Sequence, residues 1–514
     1  MAINHFPILS LLVLLPLVAG MSLFVFGNER SARRFALSVA LLELLATGVL
    51  MFAFQSSTAD MQFIERMEWI PTLHIQYLLG IDGISVIFLP LTALMSVCVM
   101  AASWNAIHSL PRLYLALLLW LEGVTMGVFC ALDLGLFFLF WELTLPPIYF
   151  LISLWGVGPQ RRHAAIKYTL FMLAGGVPLL LGFILMALNN ARETSTDVPA
   201  GLSFDYFTLL ETPIPLTMQS TIFVLIFLGF AVKAPLFPFH GWLPTVAMQG
   251  PVGVTTLLMG LKLGLYGIIR FAVPFAPQAT QQYSKILAGL GAFCALYGAL
   301  IALRQTNLRR MLAYSSVSHV GLVLIGITAI NLQGIQGAVF QLFNFGIVAG
   351  GVFLLTGFLH QRVGSTDLTA LGGLARTMPV LTSLLFILGL ASMGVPGSNG
   401  FVSENLIVIG AFQSHVGVGI AALIAMIIGA AYFMNAFRCG FLGPLLRNDV
   451  KSAVDLQPRE LGIAATLVLL SLGLGVFPQS VLSFNLKPLQ VWVARLEAGH
   501  SPTLAMSLIS PHPQ

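Results

Sequence analysis

The stretch Lys233-Ala-Pro-Leu-Phe-Pro-Phe-His-Gly-Trp-Leu-Pro244 cuts through an apolar run covering 218–247. Three prolines and a glycine cannot all sit in one regular helix, because each proline removes an amide donor and clashes with the preceding turn. A second such stretch, Gly394-Val-Pro-Gly-Ser-Asn-Gly400, interrupts the run 380–411 just before Glu404. Inside a bilayer such breaks are tolerated only where protein or a wet cavity satisfies the freed carbonyls and amides. The two stretches therefore predict helices broken within a membrane, at binding or gating points.

Composition supports that setting. Over 514 residues the chain is 58% hydrophobic and 8% charged, with a mean hydropathy of +0.93. A soluble globule could not be covered with so little polar surface. Apolar runs of roughly 20 residues recur throughout, each long enough as a helix to cross the hydrocarbon core. About fourteen spans are expected, at 4–26, 32–54, 80–101, 111–130, 134–156, 164–189, 218–247, 253–274, 282–303, 309–331, 333–359, 380–411, 415–440 and 457–477. Strand-like alternation is missing, which excludes a membrane barrel. The expected fold is an all-α polytopic membrane protein. Its first run has no basic n-region and no small-residue cleavage site, so it reads as a retained helix rather than a targeting peptide.

The net charge of +5 is small for this length and is no nucleic-acid signature. Its distribution says more. Arg30, Arg33 and Arg34, then Arg112, Arg161 and Arg162, Arg304, Arg309 and Arg310, Arg362 and Arg376, and finally Arg438, Arg447, Lys451 and Arg459 fall in alternate connections. Those connections should face the cytoplasm, with both termini outside. The long connection 189–215 carries instead Glu193, Asp197, Asp205 and Glu211.

Four regions follow: 1–110 with the first three spans, 111–274 and 275–440 with five each, and 441–514 with the last span and an amphipathic segment. Each five-helix group holds one interrupted helix and a nearby buried charge. They read as two structural repeats, inverted because the number of spans in each is odd. Val481 to Glu497 mixes apolar residues with Lys487, Arg495 and Glu497, as an interfacial helix lying along a neighbour or the membrane would. Residues 501–514 read as a flexible tail.

Ionisable groups inside apolar spans are expensive and mark ion or proton paths. Glu142, Lys233, Lys262, His319 and Glu404 are such groups. Glu142 is either a structural carboxylate or one half of a buried pair with Lys233, which sits where its helix breaks. Lys262, flanked by Gly260 and Gly264, is either a snorkelling lysine or a central proton-holding site. His319, among Ser315, Ser316 and Ser318, suits a hydrated relay, although a core histidine would look the same. Glu404 follows a break, where helix amides favour an anion within the first turn, and could equally accept a proton at an outlet.

Weaker candidates are Glu122, which could bias a neighbouring charge, and Lys167, which either touches the Glu142 site or anchors its helix. Asp133 is a boundary residue or an intramembrane one, and Asp82 a cap or turn. Cys98, Cys130, Cys294 and Cys439 show no zinc, iron–sulfur or disulfide spacing. With no dinucleotide fingerprint or phosphate loop, redox chemistry would belong to a partner.

Five segments carry a resemblance: Phe138-Leu-Phe-Trp-Glu142, Lys233 to Pro244, Leu261-Lys-Leu-Gly-Leu-Tyr-Gly267, Arg309-Arg-Met-Leu-Ala-Tyr-Ser-Ser-Val-Ser-His-Val-Gly321 and Phe401-Val-Ser-Glu404. In this order they resemble the antiporter-like membrane subunits, of the M or subunit 4 type, of the proton-pumping NAD(P)H-quinone oxidoreductases. The similarity runs from Phe6-Pro7 through the last span. It implies a fourteen-helix subunit in which Glu142 and Lys233 are the coupling pair, Lys262 the central lysine, His319 the connecting histidine and Glu404 the outlet.

The resemblance also implies partners: L- or 5-like and N- or 2-like antiporter subunits, small membrane subunits and a peripheral redox arm, within the lipids of a bacterial inner membrane or a cyanobacterial thylakoid. NAD(P)H or ferredoxin, iron–sulfur clusters, flavin and quinone would bind those partners, and this chain would bind no cofactor. Three departures stand out. Thr245 to Pro251 stands where the family reads an acidic residue and a histidine, with the interval to Lys262 about two residues short, Phe345 stands for a second relay histidine, and Asn307 for an acidic residue. Alternatives are the plastoquinone-reducing complex specialised for carbon dioxide uptake, a multisubunit cation/proton antiporter, and an inactive scaffold.

Overall fold

A computed structural model describes residues 6–445 and 447–498. Among them, twelve helices are long and apolar enough to cross a membrane. The third and twelfth expected spans are instead the shorter apolar helices Phe88–Ala102 and Pro379–Ser392. The second of these continues, across a break, in Asn399–Ser414.

The third span begins later than expected because Ile75–Ile81 is a strand, paired antiparallel with Gln62–Ile70. Glu65, Arg66 and Glu68 give this hairpin a polar character no bilayer core would accept. Bridges from Leu79 to Ala131 and from Asp133 to Asp205 tie it to neighbouring connections, and Arg66 closes an ion pair with Asp205 at 2.7 Å. Asp133 is a boundary residue. It caps Leu134–Leu143 by accepting from the Leu136 amide at 2.9 Å and accepts from the Gln76 amide at 3.1 Å.

At the opposite end arginines lace the connections together. Arg33 donates to the carbonyls of Trp104 and, at 2.7 Å, Ile107, while Arg112 donates to Gly27 at 2.7 Å. Arg362 pairs with Glu460 and reaches the Val454 carbonyl at 2.8 Å. Arg309 differs from these, being buried, with its guanidinium 2.6 Å from the Gly250 carbonyl.

The amphipathic C-terminal segment is the helix Gln479–Ala498. It lies against this chain's own helices and the connection that carries Leu210. Leu482 accepts from Gln336 at 3.1 Å, Trp492 donates to the Ile269 carbonyl at 3.3 Å, Arg495 reaches the Leu210 carbonyl, and Gln281 reaches that of Leu496. The helix is therefore a strap over the end bearing the hairpin. Ending the chain before Gln479 should leave the bundle assembled but lower its melting temperature in a thermal-shift measurement on the purified assembly. An unchanged melting temperature would show the strap to be idle. The tail expected at 501–514 lies outside the described residues.

Candidate proton-relay site

The two predicted breaks are present. Leu216–Lys233 stops at Lys233, and the chain turns through Phe239–Gly241 before Trp242–Gln249 resumes. Pro379–Ser392 and Asn399–Ser414 flank the second. A third break was not anticipated. The expected span 253–274 stops at Gly260, leaves helical geometry at Leu261 and Lys262, resumes as Leu263–Gly267 and widens into a π-helical turn at Ile268–Ala272. Such irregularity is frequent at functional sites.

Lys262 is thus at a break, not inside a regular turn. Its ammonium lies 3.2 Å from the Leu258 carbonyl, the acceptor that a continuing helix would have offered to the Lys262 amide. Gly264 lets the resumed helix press against the end of Leu216–Lys233. A Cβ there would fall 2.4 Å from the Ala234 nitrogen. This close approach brings the Lys233 and Lys262 breaks side by side.

Lys233 is buried and donates to Thr144 Oγ1 at 2.8 Å and the Trp141 carbonyl at 3.1 Å. Its ammonium also stands 3.8 Å from the Trp141 ring centroid, a favourable cation–π position. The helix is interrupted between Leu143 and Leu145, where the Thr144 hydroxyl turns back onto the Trp141 carbonyl at 2.8 Å, and the missing amides of Pro146 and Pro147 leave the carbonyls of Glu142 and Leu143 without their donor four residues on. Glu142 does not form the direct pair expected with Lys233. Its Oε1 has no hydrogen-bond partner, yet each group feels the other's charge. Gly176 opens the space for this carboxylate, since a Cβ there would lie 2.4 Å from Oε1.

His319 and Glu404 are brought together. Nδ1 of His319 is 2.8 Å from the Ser315 carbonyl, and Nε2 is 3.2 Å from the Ser392 carbonyl and 3.4 Å from Glu404 Oε1. Both ring nitrogens face oxygen acceptors, an arrangement that a doubly protonated ring satisfies. Glu404 is the sixth residue of its helix, beyond the first turn, so its partner is His319 rather than free helix amides. Ser315 extends the polar line to the Tyr432 hydroxyl at 2.5 Å.

Two cavities flank Lys262. One of about 40 Å³ is lined by Glu122, Thr144 and Lys233 together with Leu258, Leu261 and Leu263, the neighbours of Lys262. The other, also about 40 Å³, is lined by Met259, Ser315, His319, Asn344, Phe345 and Glu404. Each exceeds the space one water needs. Phe345 stands between the groups on either side: its ring is 5.2 Å from the Lys262 ammonium and 6.2 Å from the His319 ring.

Lys167 does not touch the Glu142 carboxylate. It donates to Thr245 Oγ1 at 3.0 Å and, with Arg310 and Tyr314, lines a vestibule of about 310 Å³. Asp82 accepts from the amides of Ile84 and Ser85 at 3.0 Å each, as a turn residue should. Composition did not reveal its second role, a buried ion pair with Arg270 whose Nη1 lies 2.8 Å from Oδ2. Among the described residues, no group of three or more His, Cys, Asp or Glu could hold a metal ion.

The family model described as NADH:quinone oxidoreductase/Mrp antiporter, TM matches residues 131–429. NAD(P)H-quinone oxidoreductase chain 4 1 of Synechococcus sp. (strain JA-3-3Ab) is 37% identical over 489 residues, 92% of this chain and 90% of its own. NADH-quinone oxidoreductase subunit M of Rhodobacter capsulatus is 35% identical, over 92% of this chain and 94% of its own. Among solved structures, a chain of respiratory complex I from Thermus thermophilus with bound NADH matches with a TM-score of 0.85 and 30% identity, covering 96% of this chain and 100% of that one.

Proposed function

Because the chain belongs to the NADH:quinone oxidoreductase/Mrp antiporter transmembrane family, we propose that it is the M-type, or subunit 4, proton-translocating subunit of a quinone-reducing complex. NAD(P)H or ferredoxin would supply the electrons, through flavin and iron–sulfur groups held by a peripheral arm. L- and N-type subunits and small membrane subunits would flank this chain in a bacterial inner or thylakoid membrane. Its own residues move protons.

The observation that carries this reading is the position of Lys262, a buried ammonium on a helix break between two cavities of water size. A change of protonation at Glu142 alters the field at Lys233. A cation at Lys233 then disfavours one at Lys262, since like charges in a poorly solvated interior repel strongly. Lys262 releases its proton past Phe345 to His319, and His319 hands it to Glu404.

Lys167 belongs to the vestibule that feeds the breaks, and Glu122 biases the Lys233 cavity. The two groups 111–274 and 275–440 act as inverted repeats, a reading supported by the broken fourth helix in each.

Glu142→Gln keeps the shape of the side chain and removes its charge. It should sharply reduce donor-driven proton translocation while leaving assembly and melting temperature close to wild type. Normal translocation would remove Glu142 from the coupling step. The function as a whole is tested in membrane vesicles, where donor-driven quinone reduction should acidify the lumen and deletion of this chain should abolish that acidification. Acidification driven by sodium and independent of quinone reduction would favour the antiporter branch of the family. Dependence on carbon dioxide supply would favour the specialised cyanobacterial form, which the altered segment Thr245 to Pro251 leaves open.

A further inference from the structure

Lys262 has no base in direct reach. Its ammonium donates to the Leu258 carbonyl and, among the described residues, to no side chain. It faces the ring of Phe345, 5.2 Å from the centroid, a position that favours a charged amine but offers nothing to accept its proton. The same buried ring meets His319 edge to face, with the centroids 6.2 Å apart. One apolar side chain thus lies against both members of the transfer that the relay requires.

The His319 side of this ring is built to hold water. Phe345 lines the cavity of about 40 Å³ together with Ser316, Asn344 and Glu404, and the Ser316 hydroxyl, Asn344 Oδ1 and Glu404 Oε2 are buried without a hydrogen-bond partner. Three unpaired polar atoms around a space of that size meet the needs of a bound water. Lys262 does not line this cavity, so a proton leaving its ammonium has to pass the ring to reach that water. The ring can move where its backbone cannot. Phe345 opens the π-helical turn Phe345–Ala349, and the chain there is wedged from two sides: a Cβ on Gly260 would fall 3.1 Å from the Gly346 Cα, and one on Gly346 would fall 2.6 Å from Leu91 Cδ1. The freedom left at position 345 is rotation of the side chain between staggered rotamers.

We infer that Phe345 is the gate of the step from Lys262 to His319. Against the ammonium, its ring holds the charged amine and shuts out the water of the His319 cavity, as apolar constrictions do when they block passage by staying dry. Transfer takes place when the ring turns aside. This rests on the relay reading above and gives it a control point. With the gate open a cavity water reaches Lys262. One N–H bond of the ammonium breaks as that water takes the proton, and a proton of the water passes to the unprotonated nitrogen of a neutral His319. A neutral amine, an imidazolium and an intact water result. Phe345 carries no proton and acts as a positioning residue.

The test uses the intact complex in liposomes, with an imposed pH gradient, the potential clamped by valinomycin and potassium, and neither donor nor quinone present. It therefore reads the gate whether or not quinone reduction drives the relay. Phe345→Ala should let the gradient decay several-fold faster than wild type, and adding Lys262→Met should return the decay to the wild-type rate. Phe345→Leu, an apolar plug without the ring, should fall between wild type and Phe345→Ala. An assembled Phe345→Ala complex that holds the gradient like wild type overturns the inference. So does a fast decay that persists with Lys262→Met, since the ring would then only fill space. Should Phe345→Ala fail to assemble, the same comparison on Phe345→Leu, with and without Lys262→Met, decides on the same terms.

Discussion

Replacing Lys262 with methionine is expected to stop proton translocation through this chain while the subunit still assembles. Methionine has nearly the length and flexibility of lysine and fills irregular apolar space well, so the walls formed by Leu258, Leu261 and Phe345 stay supported. The fold loses the 3.2 Å bond to the Leu258 carbonyl and the ammonium's place over the Phe345 ring, and is relieved of a buried cation. Function loses the basic group set beside Leu261 and Leu263 of the Lys233 cavity and facing Phe345 of the His319 cavity. Lys262→Arg should block translocation as well, because a guanidinium does not release its proton at physiological pH. Donor-driven acidification, with subunit content followed by immunoblot, checks both variants. An assembled Lys262→Met complex that pumps like wild type removes Lys262 from the relay.

Arg270→Met should have the largest effect on folding. It strands Asp82 as a buried carboxylate, and breaking one side of a buried pair typically costs about 3–5 kcal/mol. The loss spreads because Arg270 also donates to the Tyr266 hydroxyl at 3.3 Å and lies beside Ile269, the carbonyl taken by Trp492 of the terminal strap. One cation thus joins the turn that leaves the hairpin, the π-helical turn that follows the Lys262 break, and the C-terminal helix. The expected result is loss of the subunit from the assembled complex. Arg270→Met combined with Asp82→Leu should recover part of it, since apolar replacement of both partners is often near neutral. Wild-type content and melting temperature in the single variant would show the pair to be dispensable.

Much of the architecture was legible because hydropathy and proline chemistry are local. The break after Lys233 follows from three closely spaced prolines and a glycine, and the one after Ser392 from Pro396 set among Gly394, Gly397 and Gly400. The break at Lys262 has no proline. It depends on Gly264 meeting the Ala234 backbone, a contact made only after both helices are in place. The hairpin was hidden for a related reason: Gly80 and Ile81, which end the strand Ile75–Ile81, run on into the apolar stretch that follows.

The site was partly legible too. His319 and Glu404, each singled out as an ionisable group within an apolar run, lie 3.4 Å apart, whereas Glu142 and Lys233 make no direct pair and Lys233 is held by the Trp141 carbonyl and the Thr144 hydroxyl. Glu43 and Arg270 satisfy the same rule of charge within an apolar run that singled out the others. Neither lies in a segment that carries the resemblance, and only packing shows that Glu43 is fully buried and that Arg270 meets Asp82.

The central claim is that quinone reduction in partner subunits drives protons through this chain. Its most direct test is gentle detergent purification of a tagged chain, followed by identification of its partners and a donor-dependent quinone reductase assay on the same sample. Recovery with L- and N-type subunits and an active quinone-reducing arm is predicted. Recovery with sodium/proton antiporter subunits alone, and no donor-dependent quinone reduction, would contradict it and assign the same buried charges to a redox-independent exchanger.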